Sequence, residues 1–153
     1  MDDVESTADA TLHASRALVA VIARSLASAL EDVSLPQFRV LVLLSNNGPL
    51  RQGVVAEQLG VHASTFSRNA GRLVAGGWVR RLEDPDNGQA KRLELTDAGR
   101  ALVDQVTEQR RAEIAAVVAA VPAAERPAVL AAFRAFAHAA GEPDPQDLQT
   151  LAM

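Results

Sequence analysis

Residues 52–75 constrain this chain more than any other stretch, because two short segments with helical apolar spacing meet there across a tight turn at Gly60. A helix over Gln52 to Leu59, a Gly60-Val61-His62 connection and a second helix over Ala63 to Ala75 make a helix-turn-helix. Gly76-Gly77 then ends the second helix. Ala56 is small where the helices must cross, and Val55, Leu59, Val61 and Phe66 are expected to form their shared core. At about 100° per residue, Phe66, Ala70 and Leu73 fall on one side of the second helix. Ser64, Ser67, Arg68 and Gly71 fall roughly opposite, flanked by Thr65 and Arg72. This second face offers hydroxyls and guanidiniums, little bulk and no acid. It suits the major groove of DNA, where Arg pairs bidentately with guanine and Ser or Thr meets bases or phosphates. The plainer alternative, a solvated surface helix, would more often mix acids with bases.

The residues that follow extend the pattern. Trp78 to Glu83 and Ala90 to Leu95 alternate as two strands around Asp84-Pro85-Asp86-Asn87-Gly88-Gln89, with Asn87-Gly88 as the hairpin signal. A helix-turn-helix with a short basic hairpin behind it is a winged helix. Arg80, Arg81, Lys91 and Arg92 are its candidate phosphate contacts, and His62 enters the second helix where a phosphate would lie. Arg80 and Arg81 could instead lay their alkyl stems over Trp78, and the two roles are compatible. From Val61 to Leu82 there are four arginines and no acid. Residues 51–100 carry a net charge of +2 within a chain whose total is −4. An acidic total is therefore no argument against a nucleic-acid partner when the cations share one surface.

The rest of the chain reads as helix. Leu12, Val19, Ile22, Leu26 and Leu30 recur at helical spacing over Thr7 to Leu30. Ser34 caps a buried helix over Leu35 to Leu44, with Pro36 in its first turn and Ser45-Asn46-Asn47-Gly48-Pro49 as its stop. Thr96 caps a long helix that ends before Pro122, and a last helix runs from about Ala124 to Ala140 with Val129, Leu130, Phe133 and Phe136 on its apolar side. The expected fold is mainly α with a small β-hairpin wing. Its expected organisation is an N-terminal helix for dimerisation (1–34), a winged helix-turn-helix DNA-binding lobe (35–96), C-terminal dimerisation helices (97–140) and a tail (141–153). Only 3% of the residues are aromatic. A core of Ala, Val and Leu gains little burial per residue, which points to further burial against a second chain. Cysteine is absent, which excludes disulfides and thiolate chemistry. No apolar run approaches the roughly 20 residues of a membrane span. Asp2, Asp3, Glu5 and Asp9 stand where a signal peptide would carry bases, so a cytoplasmic location is expected.

Four stretches resemble the MarR family of bacterial transcriptional regulators: Leu35-Pro36-Gln37-Phe38-Arg39-Val40-Leu41, Val55-Ala56-Glu57-Gln58-Leu59-Gly60-Val61, Ser64-Thr65-Phe66-Ser67-Arg68 and Leu93-Glu94-Leu95-Thr96-Asp97-Ala98-Gly99. The likeness runs in order over roughly residues 10–140. It implies a homodimeric winged helix-turn-helix repressor on pseudo-palindromic double-stranded DNA, often released by a small phenolic or other ligand. It also implies that the first and last helices form the dimer interface. The chain departs from the family pattern at the wing tip. Asn87, Gly88 and Gln89 stand there where the family has an acid followed by paired arginines. It departs again at Asn69, usually aliphatic, and at Gly71, usually an acid.

Other chemistry is weakly signalled. No metal, cofactor or catalytic residue is expected: His13, His62 and His138 show no metal-ligand spacing, although His13 and His138 could share a zinc ion were the terminal helices to meet. Asp84 and Asp86 form an acid pair, but Asp-Pro-Asp is ordinary turn chemistry and no nucleophile or base accompanies it. An effector cleft between dimer helices and the DNA-reading lobe would draw on His13, Arg16, Phe38 and Val42, which could equally be hinge packing and surface. A protein-interaction module on the same winged fold, without DNA binding, is the alternative function.

Overall fold

The computed structural model describes residues 3–141. Elements follow in the order α1 (Asp3–Leu26), α2 (Ala29–Asp32), α3 (Leu35–Asn47), β1 (Leu50–Arg51), α4 (Gln52–Gln58), α5 (Ala63–Ala75), β2 (Val79–Asp84), β3 (Asn87–Leu95), α6 (Asp97–Ala120) and α7 (Arg126–Ala139). Two compact units divide the chain, one through residue 111 and one from residue 112. The tail expected from Gly141 onward lies, apart from Gly141 itself, outside the described residues.

In the first unit Val40, Leu41, Leu44, Val55, Phe66, Ala70, Leu73, Val79 and Leu93 are sealed from solvent, with Leu102, Val103 and Val106 of α6 in the same core. The long helix expected over Thr7 to Leu30 is interrupted. The chain tightens at Ala27, whose N–H donates to Arg24 O at 3.2 Å, and re-enters helix as α2. Leu26 before the break, and Ala29 and Val33 after it, all reach the core. Helix α3 starts as its sequence dictates. Ser34 Oγ accepts from Gln37 N, and Gln37 Oε1 accepts from Ser34 N at 2.8 Å, a complete capping box. The helix outlasts Leu44, running through Ser45-Asn46-Asn47 until Gly48 takes φ 72°. Among these breaker residues only the glycine can adopt that angle without strain.

The sheet has three strands in the order β1-β3-β2, all antiparallel. β1, only two residues long, carries too little pattern to be read from sequence. The expected Asn87-Gly88 turn is corrected: the chain turns at Pro85-Asp86, with Asp84 paired to Asn87, and both Asn87 and Gly88 belong to β3. A two-residue Asn-Gly turn needs positive φ at both positions, and neither residue has it. Pro85 presets the angle for an ordinary turn instead, and Asp86 N donates to Asp84 Oδ1 at 2.9 Å.

Helix α6 is locked to the start of β2. Thr96 Oγ1 donates to Gly77 O at 2.6 Å and accepts from Gly99 N at 3.1 Å, the expected N-cap. A Cβ on Gly99 would stand 2.1 Å from Trp78 O, so only glycine admits this approach. In the second unit Arg126 donates to Val121 O and Ala119 O, tying α7 to the chain before it. Helix α7 starts two residues later than the pattern suggests, after the Pro122 break, with Pro127 in its first turn.

Candidate nucleic-acid interface

The connection between α4 and α5 is built from backbone. Leu59 N donates to Val55 O, Gly60 N to Glu57 O and Val61 N to Ala56 O, while Gly60 takes φ 65°. Val55, Ala56 and Phe66 form the shared core as read; Leu59 is half-buried and Val61 is exposed at 40%, a correction to the expected four-residue core. Val61 lies just past the glycine turn, on the rim of a groove rather than under it. The apolar side of α5 is anchored, with Phe66, Ala70 and Leu73 each at most 1% exposed. The opposite face is therefore held outward: Ser64, Thr65, Ser67, Arg68 and Arg72 are all exposed, and Gly71 is half-buried. His62 occupies the N-cap position, exposed, and makes no side-chain cap bond.

The cations divide into two groups. Arg68, Arg72 and Arg81 have no side-chain hydrogen bond or ion pair among the described residues. Arg81 comes up beside α5, its terminal nitrogen 3.9 Å from where a Cβ on Gly71 would stand. The remaining wing cations are engaged within the chain. Arg80 bonds Glu94, its partner across the strands. Arg92 is half-buried and donates to Pro49 O at 2.7 Å. Lys91 lies 3.7 Å from Glu83.

One ion pair escaped the sequence. Arg51 grips Asp84 through both carboxylate oxygens, with Asp86 3.8 Å away, and so ties β1 to the turn of the wing. The Asp84 side chain is 2% exposed. The Arg51 hydrogen bond, then the Asp86 N–H, hold its carboxyl down at about 2 from an ordinary 3.8. The same contact pushes the Arg51 guanidinium up. Asp84 and Asp86 thus work as a structural clasp, and among the described residues no group of three His, Asp or Glu side chains could hold a metal ion. Nothing in the local pattern marks Arg51, since its partner lies 33 residues away.

The four effector candidates differ in exposure. His13 and Arg16 are exposed on α1, Val42 packs against the core and Phe38 is buried at 5%. A groove of about 430 Å3 lies elsewhere, between the first turn of α3 and the Thr65–Arg72 side of α5, and none of those four residues lines it. Asn69, at the edge of the core face as the wheel suggests, is half-buried on the wall of this groove.

The same architecture is found in known proteins. A sequence model described as the MarR family matches residues 31–90, the stretch from α2 through the wing turn. The structure superposes on that of RV1404 from Mycobacterium tuberculosis with a TM-score of 0.80 and 43% identity, covering 95% of this chain and 99% of that one. The multiple antibiotic resistance protein MarR of Escherichia coli is 30% identical over 74 residues, 48% of this chain and 51% of that protein. The chain belongs to the MarR family. An uncharacterized HTH-type transcriptional regulator of Bacillus subtilis, YfiV, is 33% identical over 66 residues, 43% of this chain and 41% of YfiV. The matched segment thus spans about half the length of these curated relatives. The MarR fold is mainly helical with a small antiparallel wing, and this chain has both parts. Among the described residues no helix is long and apolar enough to cross a membrane.

Proposed function

We propose that the protein is a transcriptional regulator that binds double-stranded DNA sequence-specifically as a homodimer, acting as a repressor relieved by a small-molecule ligand. The observation that carries this reading is the outward face of α5. Arg68 and Arg72 stand there, without a partner among the described residues, beside Ser64, Thr65 and Ser67 on a helix whose other side is fixed in the core. Arg68 and Arg72, with Ser64, Thr65 and Ser67, read bases in the major groove and anchor phosphates. His62, Arg80, Arg81, Lys91 and Arg92 are the candidate backbone contacts, and Arg81 is the strongest of the wing set because it has no partner among the described residues. The relatives are transcriptional regulators, which supports reading it as a binding protein rather than an enzyme. Its compartment is the cytoplasm, where bacterial DNA lies.

Dimerisation is supported by two apolar faces that are exposed among the described residues. On α1, Leu12, Val19 and Ile22 are exposed along one stripe while Val21, Ser25 and Leu26 are buried. On α7, Leu130, Phe133 and Phe136 are 52%, 50% and 58% exposed, too much apolar surface for a lone helix in water. Pairing two chains through these helices would set the two copies of α5 about one DNA turn apart, roughly 34–36 Å. A ligand acts on such a pair by binding better to a spacing that does not fit the operator. Of the four effector candidates, His13 and Arg16 could meet a ligand without disturbing the core, whereas Phe38 could not.

Selection of bound fragments from random duplex DNA tests the reading. The expected result is an inverted repeat with half-sites one turn apart. Recovery of no sequence, together with no salt-dependent duplex binding, would favour a winged-helix module for protein partners.

A further inference from the structure

Helix α5 has two flanks, and the wing supplies a candidate backbone contact beside only one of them. On one flank stands Arg81, beside Gly71. The other flank is the groove against the first turn of α3, where Arg39 joins Arg68 and Arg72. On the helical wheel Gly71 and the groove residues Thr65, Asn69 and Arg72 lie to either side of Arg68. No acid lines the groove, although Glu31 and Asp32 precede it in the chain. Arg39 is exposed and, like Arg68 and Arg72, has no side-chain hydrogen bond or ion pair among the described residues. Three unpaired guanidiniums around one open groove repel each other and favour an anion between them. The start of α3 adds little beyond its dipole. Its capping box already uses the Ser34 and Gln37 N–H groups, and Pro36 has none.

We propose that this groove seats a backbone phosphate of the bound duplex, with Arg39 as a DNA contact and Arg72 completing the seat. The proposal rests on the DNA-binding reading. A helix lying in a major groove has a sugar-phosphate backbone along each side, so Arg81 meets one strand and Arg39 the other. Phosphate contacts position the protein and carry no sequence information directly.

Arg39→Gln and Arg39→Lys proteins, titrated by fluorescence anisotropy against a selected site and a scrambled duplex over a salt series, test it. Arg39→Gln should weaken binding to both duplexes by the same factor and reduce the log–log salt slope by about one. Arg39→Lys should keep the slope, and thermal melting of both proteins should match the parent. Unchanged affinity and slope in Arg39→Gln would overturn the seat, and so would a loss confined to the selected site. Failure of the parent protein to bind either duplex would be seen before any variant is made, and would count against the DNA reading itself.

Discussion

Helix α5 carries two arginines and no acid, whereas the β2–β3 hairpin carries four cations and four acids between Val79 and Leu95. In the folded chain that difference becomes one of availability. Arg68 and Arg72 have no partner among the described residues, while Arg80 is held by Glu94, Lys91 stands near Glu83, and Arg92 reaches back to Pro49 O. Of the hairpin cations only Arg81 has no partner among the described residues, and it lies beside Gly71 of α5. A cation already satisfied within its own chain gains less from a phosphate, because the old contact must be loosened first. Counting basic residues therefore overstates the wing and understates the helix. In this chain the wing tip, Pro85-Asp86-Asn87, is fixed to β1 through Arg51 and carries no cation of its own.

The comparison can be broken most easily at Arg68. Arg68→Ala should lose on the order of 1–3 kcal/mol of binding to a selected site if it reads a guanine. A gel-shift titration that finds unchanged operator affinity would remove α5 from the role given to it here. Arg81→Ala should instead weaken every duplex alike and take about one unit off the salt slope, so sequence-selective loss would reassign it to base reading. Gly71→Ala sharpens the picture through stability. An added Cβ meets nothing closer than Arg81 at 3.9 Å, so the variant should gain up to about 1 kcal/mol of helix propensity in denaturant unfolding. Arg80→Ala should move DNA affinity far less than Arg68→Ala does, since Arg80 is already engaged by Glu94. A loss as large as that of Arg68→Ala would show that the Arg80–Glu94 ion pair is released on DNA.

The Arg51–Asp84 clasp gives the wing a pH signature. With its carboxyl held at about 2 rather than 3.8, Asp84 contributes stability that is complete above the higher value and lost as pH falls through the lower. Asp84→Asn should melt at a lower temperature at neutral pH and show a flatter loss between those two values. An acid unfolding curve that matches the parent would mean the clasp does not hold the wing.

How much of this was legible in the residues depends on range. The bounds of α5 were read as they stand, because Phe66, Ala70 and Leu73 set its period and Gly76-Gly77 its end. The caps at Ser34 and Thr96 are equally local. The wing turn was misread because the Asn87-Gly88 signal competes with Asp84-Pro85-Asp86, and Arg51, far off in sequence, is bonded to the second alternative. For the same reason Arg80 and Arg92 looked free. Their partners Glu94 and Pro49 become neighbours only once strand register is set. Arg39 was passed over because it sits in a helix read as buried, and its exposure beside α5 comes from how α3 crosses α5. The exposed aromatics of α7 were anticipated as an apolar side, but their lack of cover is a property of the folded chain.

Which cations meet DNA is decided by one paired titration. Arg68→Ala/Arg72→Ala and Arg80→Ala/Lys91→Ala proteins, each confirmed folded, are to be titrated against the same selected duplex at one salt concentration. The expected result is loss of specific binding in the α5 pair and near-parental affinity in the wing pair. Retained specificity in the first, with collapse of binding in the second, would contradict it.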